Sequence, residues 1–199
     1  MGNNCIVHLI RHEQTAANIK RKYIGWTDES ILSKENYFDV PIRANVVYGS
    51  DLKRCKETAE LYFPAATYSA NSQLRELNFG DFEMKTYEEL QDISQYRQWI
   101  EDPQNNTPPN GEAYQVFVKR VLSCFHQIIS ENKEYTFIVH GGVIRAILAS
   151  FAPVEEEFRK IKASHRMIYT LKWCDFSYVR EGKRCRLLLE EPIMAKENL

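Results

Sequence analysis

Three short apolar runs, each leading through a turn into a helical pattern, constrain this chain more than any other feature of its sequence. Residues 5–10 (CIVHLI) are apolar apart from His8, which suits a central strand covered on both faces. Residues 45–48 (NVVY) and 134–140 (EYTFIVH) read likewise as strands. Helical patterns follow at 54–61 and 142–151, and a longer one over 112–129 precedes the third strand. In that long segment Tyr114, Phe117, Val118, Val121, Phe125, Ile128 and Ile129 share one face. Strands alternating with helices predict an α/β chain with a largely parallel sheet and right-handed crossovers. Near the C-terminus, residues 167–173 and 184–189 flank Glu181, Gly182 and Lys183, which predicts a hairpin at a sheet edge. Residues 23–42 and 78–111 show no assignable period, and DPQNNTPPNG in the second is loop. Long loops in such a fold tend to cover the ligand.

The length of 199 residues sets an expectation of one domain over 1–199, with a core large enough to need neither metal nor disulfide. A hydrophobic content of 44% excludes wholesale disorder, and no apolar run approaches the ~20 residues of a membrane span. The opening MGNNCIVHLIRHEQT shows neither a basic leader nor a cleavage site, so a cytoplasmic protein is expected. A formal net charge of −1 gives no overall field to gather nucleic acid, so any anion must be held by a local cluster. Basic residues do concentrate over 158–186, where a solvated face is the simpler reading than anion steering. Cys5, Cys55, Cys124, Cys174 and Cys185 are odd in number and form no CxxC pair, which argues against a disulfide framework and a zinc site.

The ends of the three strands carry the chemistry. The first delivers Arg11 and His12 to the carboxyl edge of a parallel sheet, where open α/β folds place their ligands. The third delivers His140, followed by Gly141 and Gly142, which permit close backbone approach and open a helix N-terminus that favours an anion. The second leads into Arg54 at the start of a helix. Two arginines and two histidines repel one another unless an anion joins them, and phosphate, with about two negative charges near neutrality, fits planar guanidinium forks.

These residues sit in blocks that resemble a known family. LIRHEQTAANIKRKYIGWTD is similar to the opening of the histidine phosphatase superfamily, the phosphoglycerate mutase-like proteins. YGSDLKRCKETAELY, LRELNFGDFE, PPNGEAYQVFVKRV and IVHGGVIRAIL resemble four further blocks of that family, in order, up to about residue 150. The resemblance implies a three-layer α/β/α sandwich with a mostly parallel central sheet. It also implies that His12 is a nucleophile transiently phosphorylated on nitrogen, that Arg11, Arg54 and His140 hold the transferring phosphoryl group, and that Glu76 is the proton donor. Thr15, Asn18 and Gly25 fall where the family lines its pocket, and Gly141 belongs with them on the substrate side. No metal and no cofactor is implied. Two departures bear on pocket shape: Glu13 stands where a glycine usually follows Arg-His, and Met84 where a glycine commonly follows the Phe/Trp-Glu pair. Pro41, in the short stretch 32–46, predicts a truncated or missing first helix.

Phosphoryl transfer asks mainly for positioning and charge stabilisation, which arginine and histidine can supply in place of magnesium. To attack, His12 must present an unprotonated nitrogen, so its other nitrogen is expected to donate to a backbone carbonyl. Glu76 would protonate the leaving oxygen and then take a proton from the attacking water. The expected partner is a small phosphorylated metabolite, with neither nucleic acid nor membrane. The segment NFGDFEMKTYEELQDISQYRQW after Glu76 lacks the basic, glycine-rich sequence of the family's mutases, so a phosphatase is predicted, with phosphoglycerate mutase activity as the alternative. A metal-dependent hydrolase using His12, His140 and Glu76 is disfavoured by two arginines that would repel the cation, and a non-catalytic phosphate-binding module would have no need of both His12 and Glu76. Tyr23, Trp26, Lys85 and Tyr87 are candidates for the outer pocket, in loops where aromatic residues also serve as packing.

Overall fold

The computed structural model describes residues 4–32 and 38–195. Strand β1 (Cys5–Arg11) runs at the centre of a six-stranded sheet and leads into a four-residue helix, α1 (Ala16–Ile19). After β2 (Phe38–Asp39) come β3 (Val46–Gly49), α2 (Lys53–Tyr62) and β4 (Thr67–Ala70). Two short helices, α3 (Tyr87–Leu90) and α4 (Ser94–Glu101), precede α5 (Tyr114–Ile128), β5 (Glu134–Val139) and α6 (Gly141–Phe151). The chain closes with β6 (Met167–Trp173), α7 (Phe176–Arg180), β7 (Leu187–Pro192) and β8 (Met194–Ala195). The sheet order is β4-β3-β5-β1-β6-β7; the first four strands are parallel, while β6 and β7 run antiparallel to their neighbours. A two-stranded ribbon pairs β2 with β8.

Alternation along the central strands divides the core into two layers. Val7, Leu9, Phe137, Val139, Tyr169 and Leu171 face α5 and α6, whose Phe117, Val121, Phe125, Ile144 and Ile147 share the same cluster. Ile10, Ile138, Ile168 and Val47 face the opposite way, onto Cys55, Ala59 and Tyr62 of α2. The result is the α/β/α sandwich expected, with α2 on one side and α5 and α6 on the other. Each fully buried aliphatic or aromatic side chain contributes roughly 1.5–3 kcal/mol of transfer free energy. All five cysteines are free, four of them buried and Cys174 exposed.

The C-terminal pair β6 and β7 lies at a sheet edge as predicted, but not through a tight turn at 181–183. Asp175 accepts the Ser177 N–H (2.9 Å) and nucleates α7, and Gly182, at φ +71°, follows where that helix ends. Helices α3 and α4 arise inside the unassigned 78–111 stretch; Thr86 and Glu89 form a reciprocal capping box that starts α3. Among the described residues no helix lies between Leu32 and Val46, while residues 33–37 of that stretch fall outside the described residues. Of the nine basic residues in 158–186, four have an acidic partner among the described residues: Lys160 beside Glu157, Arg166 beside Glu13, Lys183 beside Glu181 and Arg184 beside Glu155. No helix among the described residues is long and apolar enough to cross a membrane.

Candidate active site

β1 and β5 are adjacent and parallel, with Arg11 opposite Val139, so their following residues emerge side by side. The His12 N–H donates to the Val139 carbonyl (2.9 Å), which continues the ladder one step past the strand. Imidazole Nδ1 of His12 lies 2.7 Å from the Glu13 carbonyl oxygen. A carbonyl can only accept, so Nδ1 carries the proton and Nε2 keeps its lone pair. The ring is 2% exposed, and burial together with the positive charges of Arg54 and Arg11 holds its pKa well below the ordinary histidine value. The sequence expectation of a fixed tautomer with one unprotonated nitrogen matches this geometry.

His140 stands edge-on to His12, with ring centroids 5.1 Å apart, and is equally buried. Its Nδ1 accepts from Arg54 Nε at 3.3 Å, and burial with the Arg54 charge again pushes its pKa well down. Arg54, in the first turn of α2, is fully buried, donating from Nη1 to the Thr27 carbonyl (2.8 Å) and from Nη2 to the Gly25 carbonyl (2.6 Å). Arg11 donates from Nη1 to the Ala163 carbonyl (2.9 Å). Both guanidinium groups are thus hydrogen-bonded to neutral partners, while the Glu76 carboxylate is the opposite charge that both feel. Three buried side-chain polar atoms among the described residues lack a hydrogen-bond partner, and two of them, Arg11 Nε and His165 Nε2, belong to this cluster.

Glu76 reaches the same place from a loop. Its Oε1 accepts the Leu77 N–H (2.9 Å) and its Oε2 the Gly142 N–H (2.7 Å) at the start of α6. A Cβ on Gly142 would stand 2.1 Å from Oε1, so only glycine lets the carboxylate approach the helix this closely. The Glu76 loop is braced by a partly buried ion pair: Arg120 on α5 binds Glu112 through Nε and Nη2 (2.7 and 2.8 Å) and donates to the carbonyls of Gln73, Arg75 and Glu76. The glycine–glutamate block before α5 and the arginine within it therefore act as a support for the Glu76 backbone, a role the sequence pattern alone did not reveal.

The residues expected to line the substrate side serve the site through its backbone. Thr15 is fully buried and caps α1, exchanging hydrogen bonds with Asn18 (3.3 and 3.2 Å), which fixes the chain just beyond His12. Gly25 supplies the carbonyl that holds Arg54, and a Cβ there would meet the Leu77 carbonyl at 2.1 Å. Gly141 opens α6 beside the Arg11 guanidinium, which a Cβ would approach to 3.4 Å. Glu83 accepts from the Trp26 and Thr27 N–H groups (2.7 Å each) and from the Thr27 hydroxyl, and Asp28 accepts from the Lys53 N–H (2.8 Å). Together these tie residues 25–28 around Arg54.

Both departures from the family pattern have a structural answer. The Glu13 carboxylate turns away from the cleft to pair with Arg166 (3.1 Å) and accept from the Tyr62 hydroxyl. Met84 takes a left-handed backbone conformation, φ +62°, while its N–H donates to the Tyr23 carbonyl (2.8 Å). That explains why glycine suits the position.

Beside Glu76 and Gly142 opens a cavity of about 270 Å³ walled by Tyr23, Phe79, Trp99, Tyr114 and Phe158, with Arg145 and Arg159 at its margin. Of the four outer-pocket candidates only Tyr23 lines it, its ring 5.2 Å from Phe79 and 5.5 Å from Trp99. Trp26 instead donates to the Glu76 carbonyl (3.0 Å) under Arg75, Lys85 reaches the Asp81 carbonyl (2.8 Å), and Tyr87 packs on Tyr96.

Fold and cleft together define an α/β/α protein that gathers Arg11, His12, Arg54 and His140 at the carboxyl edge of its parallel strands. The chain belongs to the histidine phosphatase superfamily, whose branch 1 model matches residues 7–186. It is 32% identical over 155 residues to the adenosylcobalamin/alpha-ribazole phosphatase of Escherichia coli strain K12, covering 71% of this chain and 76% of that one. The protein of the same name from Salmonella typhimurium is 29% identical over 154 residues, with the same coverage. A probable phosphoglycerate mutase of Salmonella arizonae is 31% identical over 159 residues, covering 72% and 73%. A solved structure of a putative alpha-ribazole-5'-P phosphatase from Escherichia coli superposes with a TM-score of 0.73 over 95% of both chains at 22% identity, which shows the shared fold. Bacillus stearothermophilus YhfR gives a TM-score of 0.71 over 85% of this chain and 91% of that one, also at 22% identity. The enzyme class expected from the sequence, phosphoric monoester hydrolase, is the class that the phosphatase relatives carry.

Proposed function

We propose that this phosphoric monoester hydrolase acts on a small phosphorylated metabolite through a phosphohistidine on His12, without a metal ion. The observation that carries the reading is the His12 Nδ1 hydrogen bond to the Glu13 carbonyl, which reserves Nε2 as a neutral nucleophile among Arg11, Arg54 and His140. The Nε2 lone pair attacks phosphorus as the bond to the ester oxygen breaks, and the arginines and His140 take up charge on the non-bridging oxygens. Glu76, acting as the general acid, gives a proton to the departing oxygen. Water then attacks phosphorus on the opposite side, Glu76 takes its proton, and the electron pair of the P–N bond returns to Nε2. Thr15, Asn18, Gly25 and Gly141 serve by fixing the backbone around these groups. Positive charge supplied by arginine replaces a cation, and no group of three or more His, Cys, Asp or Glu among the described residues is placed to hold a metal.

Replacement of His12 by Ala, with hydrolysis of para-nitrophenyl phosphate as the readout, tests the assignment. Loss of turnover, together with an acid-labile, base-stable phosphoryl adduct trapped on the wild-type protein but not on the variant, is expected. Unchanged turnover refutes it. The cavity beside Glu76 suits a leaving group with a flat apolar part, which accords with the relatives named alpha-ribazole phosphatases. The mutase alternative rests on the similarity to probable phosphoglycerate mutases. Incubation with 3-phosphoglycerate and a bisphosphoglycerate primer separates the two: free phosphate supports the phosphatase, and 2-phosphoglycerate the mutase.

A further inference from the structure

We propose that His165 is a further contact to the phosphoryl group, its Nε2–H donating to a non-bridging oxygen, and that Glu13, Arg166 and Tyr62 aim it. The inference rests on the phosphatase reading above and adds a residue to its site. His165 lies just before β6, and its ring stands edge-on to His12, with centroids 5.7 Å apart and planes at 73°. Its Nε2 is buried and meets neither a protein partner nor open solvent, a condition shared within this cluster by Arg11 Nε. Two orphaned polar atoms beside one nucleophile call for one common polar ligand. A phosphate oxygen only accepts, so a neutral imidazole with its proton on Nε2 is the form that serves it. His165 is kept in the neutral form: burial and the charges of Arg11 and Arg166 pull its pKa down to about 3.

The segment carrying this ring is tied at every step. Arg145 Nε donates to the Ile161 carbonyl (3.0 Å), Arg11 to the Ala163 carbonyl (2.9 Å), and the Ser164 N–H to the Tyr169 hydroxyl (2.9 Å). Arg166 has a left-handed backbone, φ +56°, which is costly for a side chain of its size and persists only where the surroundings hold it. It is held by Nε and Nη2 on the two Glu13 oxygens, by the face of Phe38 at 4.8 Å from its guanidinium carbon, and by the Ile193 N–H on its carbonyl (2.9 Å). Glu13 is itself buried and also accepts from the Tyr62 hydroxyl. The residue next to the nucleophile thus fastens the residue next to His165, so the two imidazoles share one frame.

Calorimetric binding of inorganic phosphate to the full chain tests this without needing turnover. Replacing His165 by Phe keeps a ring against His12 but removes the donor, and is expected to weaken phosphate binding by about 10-fold or more, the usual worth of a hydrogen bond to a charged group. Hydrolysis of para-nitrophenyl phosphate should lose kcat/KM by a similar factor. His165→Gln, which restores an N–H, should recover most of the loss in binding. Arg166→Asn, which tolerates the left-handed backbone, should show a smaller loss of about 3-fold, because the ring is present but no longer aimed. Phosphate affinity of His165→Phe within 2-fold of wild type overturns the proposal. A wild-type protein that binds phosphate but hydrolyses no ester defeats the phosphatase reading while the binding comparison still decides the role of His165.

Discussion

The floor of the cleft keeps Arg54, His12 and His140 almost wholly out of water, whereas its wall is made of aromatic rings of which Tyr23, Phe79, Tyr114 and Phe158 are only half-buried. Named hydrogen bonds fix the floor: Gly25 and Thr27 carbonyls hold Arg54, the Glu13 carbonyl His12, the Arg54 Nε–H His140, and the Gly142 N–H Glu76. The side chains of the wall meet by ring-to-ring packing around Tyr23, Phe79 and Trp99, with the Tyr23 and Tyr96 hydroxyls bonded to each other at 2.7 Å. Directional bonds hold atoms to within tenths of an ångström, which phosphoryl transfer demands. Apolar packing is non-directional and tolerates variation in shape, which suits recognition of a leaving group. The two regions meet at Glu76, the proposed proton donor to the ester oxygen.

The sharpest test of this division is on the floor, where His12→Ala should cut kcat/KM by about 10⁴-fold or more, since a missing nucleophile leaves only binding and charge stabilisation. Arg54→Lys keeps the charge but cannot reach two carbonyls and a phosphate together; a fall of about 10²- to 10³-fold is expected for every phosphomonoester tested. At the junction, Glu76→Gln should slow esters of poor leaving groups, alkyl phosphates above all, by about 10²-fold or more, yet barely affect para-nitrophenyl phosphate. Equal losses for both would remove Glu76 from the role of acid. On the wall, Phe158→Ala should raise KM for aryl phosphates about 3- to 10-fold and leave kcat and the smallest substrates nearly unchanged. A uniform drop in kcat would mean that the wall positions the phosphate too.

The buried histidines also set a pH dependence. His8, His12, His126, His140 and His165, all the histidines of the chain, have pKa values lowered by burial first of all. Above pH 6.5 they are neutral in folded and unfolded chains alike and contribute nothing to the balance. As pH falls below 6.5, the unfolded chain takes up protons that the folded chain refuses, so stability is lost. Unfolding midpoints measured by circular dichroism should therefore decline from pH 7 to pH 5, and a flat profile would contradict the buried neutral state. The smallest effect concerns Met84→Gly at φ +62°, which should raise stability by about 1 kcal/mol in urea unfolding by relieving a left-handed side-chain clash.

Local pattern was enough for β1, β3, β5, α2, α5 and α6, because each combines a clear apolar period with a turn, and their order placed Arg11, His12, Arg54 and His140 at one edge. It was not enough for β4, whose Thr67–Ala70 is short and mostly exposed, or for α3 and α4, whose few turns carry little periodic signal. Nor could spacing alone reveal that Glu112 and Arg120 brace the Glu76 loop, since that contact joins three segments.

From its sequence alone the chain determined an α/β layering and the set of arginines and histidines at the ends of three parallel strands, since both follow from periodicity and from the direction in which a parallel strand runs. Tertiary structure decided which way Glu13 turns, which rings form the wall, and that His165 joins the cluster. The last depends on strand direction: β6 runs antiparallel to β1, with Ile168 opposite Ile10, so it is the beginning of β6 that reaches the carboxyl edge. A residue before an antiparallel strand stands where a residue after a parallel one would, and only pairing between strands more than 150 residues apart in the chain fixes which it is.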